Sequence, residues 1–149
     1  MDIKSAEDRS LNMSHIRSRD TAVEVYIRKL LYGKGFRYRI APKEIPGKPD
    51  IWFPGKRVAI FIHGCFWHRH AGCRLAYMPK SRVEFWQKKF DANVIRDQEV
   101  KRLLDEQGIR YLVIWECKIR KMRKDPVFEA EVTDEMVRFL MSDTVSVEL

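Results

Sequence analysis

An uninterrupted apolar run, Val58-Ala-Ile-Phe-Ile62, limits the fold more than any other stretch of the chain. With no polar position to give it a solvated face, it is suited to a central strand. The segment PGKPDIWFPGKRVAIFIHG therefore reads as two strands around a Pro54-Gly55 turn. Phe36-Arg-Tyr-Arg-Ile40 alternates as a half-buried strand, and Tyr111-Leu-Val-Ile-Trp115 reads as another buried one.

Helices fill the intervals. Thr21-Ala-Val-Glu24 resembles a capping box, and Val23, Ile27, Leu30 and Leu31 recur at helical spacing, predicting a helix from about 21 to 33. A long helix is expected from Arg82 to Gln107, ended by Gly108, and a last amphipathic one from roughly Val127 to Met141. Residues 73–81 read as a loop, 1–20 as an N-terminal arm with a short helix at NMSHI, and 142–149 as a frayed tail. The order helix, three strands, helix, strand, helix suits an α/β fold with a mixed central sheet flanked by helices. The 149 residues, 45% hydrophobic, suffice for one core and are read as a single domain.

The formal net charge of +8, from 29 Lys plus Arg against 21 Asp plus Glu, favours a polyanionic partner, although modest positive charge also serves solubility alone. Three cysteines cannot all pair in disulfides, which points to metal ligation in a reducing cytoplasm. The charged N-terminus lacks a secretory h-region, and no apolar run approaches membrane-spanning length, so a cytoplasmic protein without a membrane partner is expected.

Two acids, Asp50 and Asp97, admit both a structural and a chemical reading. In a hairpin centred near residue 55 or 56, Asp50 lies roughly opposite Phe61 and Ile62. There it could hold a hard cation such as Mg2+ with a backbone carbonyl near Ile62, or simply form a turn after Gly-Lys-Pro. The apolar stripe of the long helix, through Val83, Trp86, Phe90, Val100 and Leu104, also passes through Asn93 and Asp97. Burying those two unpaired is costly, so they should border a polar pocket, unless the helix is rotated and Asp97 pairs with Lys101. Glu24 is explained by its capping position.

Residues 63–73, HGCFWHRHAGC, concentrate the remaining chemistry. Cys65, His70, Cys73 and Cys117 supply the four ligands of a tetrahedral structural zinc, the alternative being reduced core cysteines. His63 and His68 are then left to take a proton from water or to offset phosphate charge, or are ordinary histidines. A metal-clamped loop cannot bury Phe66 and Trp67 inward together. A projecting pair could stack on or between bases, joined by Trp86, for which the core remains an option.

Through NMSHIRSRDTAVE, PGKPDIWF, VAIFIHGCFWHRH, SRVEFWQKKFDANVIRD and YLVIWEC, the chain resembles the very short patch repair (Vsr) DNA mismatch endonucleases over nearly its full length. The resemblance implies a restriction-endonuclease-like fold. It also implies nicking on the 5′ side of the thymine in a T:G mismatch left by deamination of 5-methylcytosine. Asp50 and the Ile62 carbonyl would then ligate catalytic Mg2+, and His68 would be the base acting on the attacking water, assisted by His63 and Asp97. Glu24 and Asn93 would hold metal-bound waters, and Cys65, His70, Cys73 and Cys117 the structural Zn2+. Phe66, Trp67 and Trp86 would form a wedge beside the mismatch, met from the other groove by Met13. The chain departs from members carrying threonine at Ile62, and it has one more residue before Cys73. Partners implied are double-stranded DNA with a T:G mismatch, mismatch-repair proteins and a repair polymerase, for a nucleoid-associated bacterial monomer. Two other readings stay open: a related restriction or homing-type nicking endonuclease, and a non-catalytic zinc-bearing module that binds mismatched DNA.

Overall fold

The structure is a computed structural model that describes residues 21–149; the expected arm over 1–20, with Met13, lies outside the described residues. The first helix, α1 (Ala22–Gly33), begins where expected, with Thr21 Oγ1 accepting the Glu24 N–H at 3.4 Å. Ile27 and Leu31, four residues apart, turn its apolar stripe into the core.

Two strands follow, β1 (Ile51–Phe53) and β2 (Val58–His63), paired antiparallel with Ile51 opposite Ile60 and Phe53 opposite Val58. The strand expected over 36–40 is reduced to a single bridge between Arg39 and Trp52, with backbone hydrogen bonds of 2.8 and 2.9 Å. Ala41 takes a left-handed φ of 44° and Pro42 has no N–H to donate, so the ladder stops there. The alternation is used for packing instead, as Phe36 and Tyr38 set their rings edge-on to Phe53.

From β2 the chain crosses through the loop over 64–82 and α2 (Val83–Glu106) to β3 (Arg110–Trp115), which runs parallel to β2 from Val58 beside Arg110 to His63 beside Trp115. Gly108, at φ +67°, supplies the left-handed turn that ends the helix. Of the expected stripe on α2, Phe90 and Leu104 are buried and Val100 and Trp86 partly so, whereas Val83 is exposed at the first turn. A helix not anticipated, α3 (Glu116–Lys124), starts directly from β3, and α4 (Pro126–Leu140) follows behind an Asp125 cap. The expected frayed tail is corrected as well, because β4 (Ser146–Glu148) pairs parallel to β3. Leu149 N–H reaches the Val113 carbonyl at 2.8 Å, and Trp115 N–H the Leu149 carbonyl at 3.1 Å.

The sheet order is thus β1-β2-β3-β4, mixed, with helices on both faces. Alternation sends Val58, Ile60 and Ile62 toward α1, α3 and α4, where Ile27, Leu31, Ile119, Met122 and Met136 are buried. Ala59 and Phe61 join Val113, Trp115 and Leu104 of α2 on the other face. Both faces of β2 are covered, as its unbroken apolar run requires. Gly47 lies under α2 so closely that a Cβ there would stand 2.6 Å from Val100 Cγ1. Among the described residues, no helix is long and apolar enough to cross a membrane.

Candidate active site

The register of the β1–β2 hairpin continues one pair beyond the ladder, bringing Asp50 beside the end of β2, where Ile62 N–H donates to Asp50 Oδ2 at 2.6 Å. Burial raises the Asp50 carboxyl to a pKa of about 6, against the stabilising Ile62 N–H, and the neighbouring negative charge of Glu24 adds to the rise. Glu24 reaches this place because α1 is capped through its backbone N–H, which leaves its side chain to point inward, where its carboxylate accepts from Arg28 at 3.2 Å. The capping position and the place at the cleft are therefore compatible. The Ile62 side chain belongs to the core on the opposite face, so only its backbone is at Asp50.

One residue on, the alternation of β2 turns His63 to the α2 side. His63 is buried, and that burial, reinforced by His68, lowers its pKa to about 3, so the ring is neutral. It stacks on His68 with centroids 3.9 Å apart and planes 3° from parallel. His68 in turn places Nδ1 2.7 Å from Asp97 Oδ2. Lys101 lies 4.0 Å from Glu148, so Asp97 serves the histidine rather than the helix-surface pair. Asn93, one turn before Asp97, donates Nδ2 to the Trp67 carbonyl at 3.1 Å. Its contact is with the loop backbone and not with Asp50.

The parallel register also explains the metal cluster. His63 and Trp115 are paired strand ends, so Cys65 and Cys117, each two residues further, emerge side by side. The loop then returns His70 and Cys73, and the four ligand atoms all lie within 4.8 Å of one another. His70 Nδ1 is 3.5 Å from Cys65 Sγ and 3.4 Å from Cys117 Sγ. A tetrahedral zinc with bonds of about 2.3 Å to sulfur and about 2.0 Å to nitrogen requires edges of roughly 3.5 Å, so the group can hold such an ion. The His70 ring stacks on Trp115 at 4.1 Å. Burial pushes the Cys65 thiol up to about 12 and Cys117 upward, while hydrogen bonding from the Leu75 backbone lowers Cys73.

Between the two groups, Phe66 and Trp67 are each half-buried, their rings 5.0 Å apart. Phe66 lies 5.6 Å from Trp86, and Trp67 lies 6.0 Å from Trp86. Glu24, Asp50, Ile62, His63, His68 and Asp97 share one cleft of about 2370 Å3 with Phe66, Trp67 and Trp86. Sequence reasoning missed two supports. Glu116 accepts the Cys65 N–H at 3.3 Å, and Arg69 binds the Phe66 carbonyl between Cys65 and His70 and the Ala76 carbonyl beyond Cys73. The acid directly before Cys117 was the only signal for the first.

A family model described as DNA mismatch endonuclease Vsr matches residues 1–74. The chain is 44% identical over 115 residues to the type II nicking enzyme V.XorIIP of Xanthomonas oryzae, covering 77% of this chain and 84% of that protein. It is 36% identical over 148 residues to the DNA mismatch endonuclease Vsr of Escherichia coli, covering 99% and 93%. It is 40% identical over 119 residues to the type II nicking enzyme V.NmeAIP of Neisseria meningitidis, covering 80% and 84%.

Proposed function

The chain belongs to the Vsr family of DNA mismatch endonucleases, and from that premise we propose that it nicks one strand on the 5′ side of the thymine in a T:G mismatch left by deamination of 5-methylcytosine. Membership makes it a DNA endonuclease. The observation that carries the finer reading is the meeting of Asp50 and His68 in one cleft whose wall holds Phe66, Trp67 and Trp86.

In this reading Asp50 and the Ile62 carbonyl hold Mg2+, a hard ion for which oxygen donors are suited. A buried carboxylate with Glu24 as a negative neighbour supports that choice, since a cation relieves both charges. When bound, the ion neutralises phosphate charge and acidifies water. The other tasks fall to the chain. Asp97 fixes the His68 tautomer with the proton on Nδ1, so Nε2 carries the lone pair that accepts a proton from the attacking water. Neutral His63 backs that ring and keeps it in plane. Asn93 holds the Trp67 carbonyl, and through it the wedge, which unstacks the mismatched step and delivers the neighbouring phosphodiester to Asp50 and His68.

The zinc held by Cys65, His70, Cys73 and Cys117 is structural, closing the loop on the strand ends; the approach of those four atoms to within 4.8 Å of one another supports it. The mixed sheet with an acid at its β1–β2 hairpin is compatible with a restriction-endonuclease-like core acting as a single domain. DNA-acting bacterial relatives support a cytoplasmic, nucleoid-associated setting, where we place a monomer that hands its nick to mismatch-repair proteins and a repair polymerase.

Because relatives are named type II nicking enzymes, a sequence-specific nicking endonuclease is the second reading. An end-labelled duplex incubated with protein and Mg2+ separates them. A single break 5′ of the mismatched thymine, with the matched C:G duplex intact, is expected. Equal cutting of both duplexes favours the second reading, and binding to the T:G duplex with no break would leave only a DNA-binding module.

A further inference from the structure

Arg69 stands between His68 and the zinc-cluster residue His70, and its backbone is left-handed, at φ 54°, a region that glycine enters far more easily than arginine. A large side chain persists there because its guanidinium is engaged by three backbone carbonyls. Nη1 donates to the Phe66 carbonyl at 3.0 Å and to the Tyr77 carbonyl at 3.2 Å, and Nη2 donates to the Ala76 carbonyl at 2.9 Å. The guanidinium also lies over the Phe90 ring, 3.8 Å from its centroid, on the buried side of α2. One planar group thus ties three pieces of chain together: the loop over 64–70, the loop over 73–81 and helix α2.

The position of those ties matters more than their number. The carbonyls of the two wedge residues in the loop are held by side chains, Phe66 by Arg69 and Trp67 by Asn93, and the next residue, His68, is held through its ring by Asp97. Asn93 and Asp97 both project from α2, and Arg69 rests on the same helix at Phe90. The Phe66 ring meets the exposed Tyr77 at 5.0 Å, so the Arg69 bonds to the 76–77 backbone also fix the outer flank of the wedge. A planar fork with fixed donor directions can bridge carbonyls on two segments at once, which the single ammonium of lysine cannot do in the same geometry.

We infer that Arg69 is a positioning residue for strand cleavage, locking the segment 66–68 so that wedge and base are set before DNA arrives. It acts through Phe66, Trp67 and His68 and touches no phosphate itself. The inference rests on the mismatch-nicking reading above, and it concerns the rate at saturating duplex rather than the affinity. A misplacement of reacting groups by about 1 Å can cost on the order of 100-fold in rate.

Arg69→Ala and Arg69→Lys are compared with the unmodified protein in single-turnover nicking of a T:G duplex with Mg2+, alongside duplex affinity, melting temperature and near-ultraviolet circular dichroism. The unmodified protein controls for the reading itself: if it leaves T:G duplex uncut, the proposed function fails, whatever Arg69 does. Given a cutting parent, both variants are expected to lose about 10- to 100-fold in rate at saturation, to bind duplex within about 3-fold of the parent, and to keep the dichroism of the folded chain. Millimolar guanidinium should restore part of the Arg69→Ala rate, and sodium at the same ionic strength should not. Parental rates in both variants would overturn the inference. So would a loss confined to affinity, which would make Arg69 a DNA contact, or loss of folded dichroism in both variants, which would make it a fold determinant alone.

Discussion

His68 Nδ1 is held 2.7 Å from the Asp97 carboxylate, which accepts and does not donate, and the proposed base needs the proton on that nitrogen and the lone pair on Nε2. An amide in place of the carboxylate could donate as well as accept, so the tautomer would no longer be fixed. Asp97→Asn is therefore expected to slow single-turnover nicking about 100-fold or more with duplex affinity within about 3-fold, as read by gel-resolved end label and by anisotropy. Equal loss in rate and affinity would instead place Asp97 among the DNA contacts. Trp67 has the opposite expectation. Its ring lies 5.0 Å from Phe66 and 6.0 Å from Trp86 in a partly exposed aromatic group, and stacking on a base is worth about 1–3 kcal/mol. Trp67→Ala should weaken T:G duplex binding by roughly 5- to 150-fold, while a matched duplex, bound through phosphates, loses much less.

The ends of β2 and β3 are where fold becomes chemistry, because their parallel register places Cys65 beside Cys117 and leaves the loop over 66–73 to close on them. Cys117→Ser should reduce bound zinc well below the roughly one equivalent expected of the parent, measured by mass spectrometry of the metal, and lower the melting temperature by roughly 10 °C or more. A parent without bound zinc would remove this element of the account. Much of this region was legible from local pattern. The apolar run of β2 announced a strand covered on both faces, the Pro54-Gly55 turn set the register that brings Asp50 to Ile62, and the spacing of cysteines and histidines pointed to the four residues that meet. What was hidden depended on distant partners. β4 has three residues and exists through backbone bonds to β3, which no local alternation encodes. The strand expected over 36–40 had the right alternation but met Ala41 and Pro42, and α3 has only nine residues, no side-chain cap, and two buried residues, Ile119 and Met122. Glu24 was read as a cap because its spacing from Thr21 is sufficient for that role, and sequence could not show that the backbone N–H performs it and leaves the carboxylate for the cleft.

Across the whole molecule, a net charge of +8 and a cleft of about 2370 Å3 divide the work of recognition. Lys48, Lys89, Arg96 and Lys101 line that cleft together with the acidic Asp50 and Glu24, and in the proposed function these cations would meet the phosphates while the acids meet the metal. The helices on both sides of the sheet hold the opposing walls, α1 carrying Glu24 and α2 carrying Asp97, with the β1–β2 hairpin between them. The central claim is that Asp50 and His68 act on one phosphodiester within this cleft. It is tested most directly by single-turnover nicking of an end-labelled T:G duplex by Asp50→Ala and His68→Ala, with binding and melting measured on the same preparations. The account expects both folded variants to bind the duplex and to lose about 1000-fold or more in rate; nicking at the parental rate by either folded variant would contradict it.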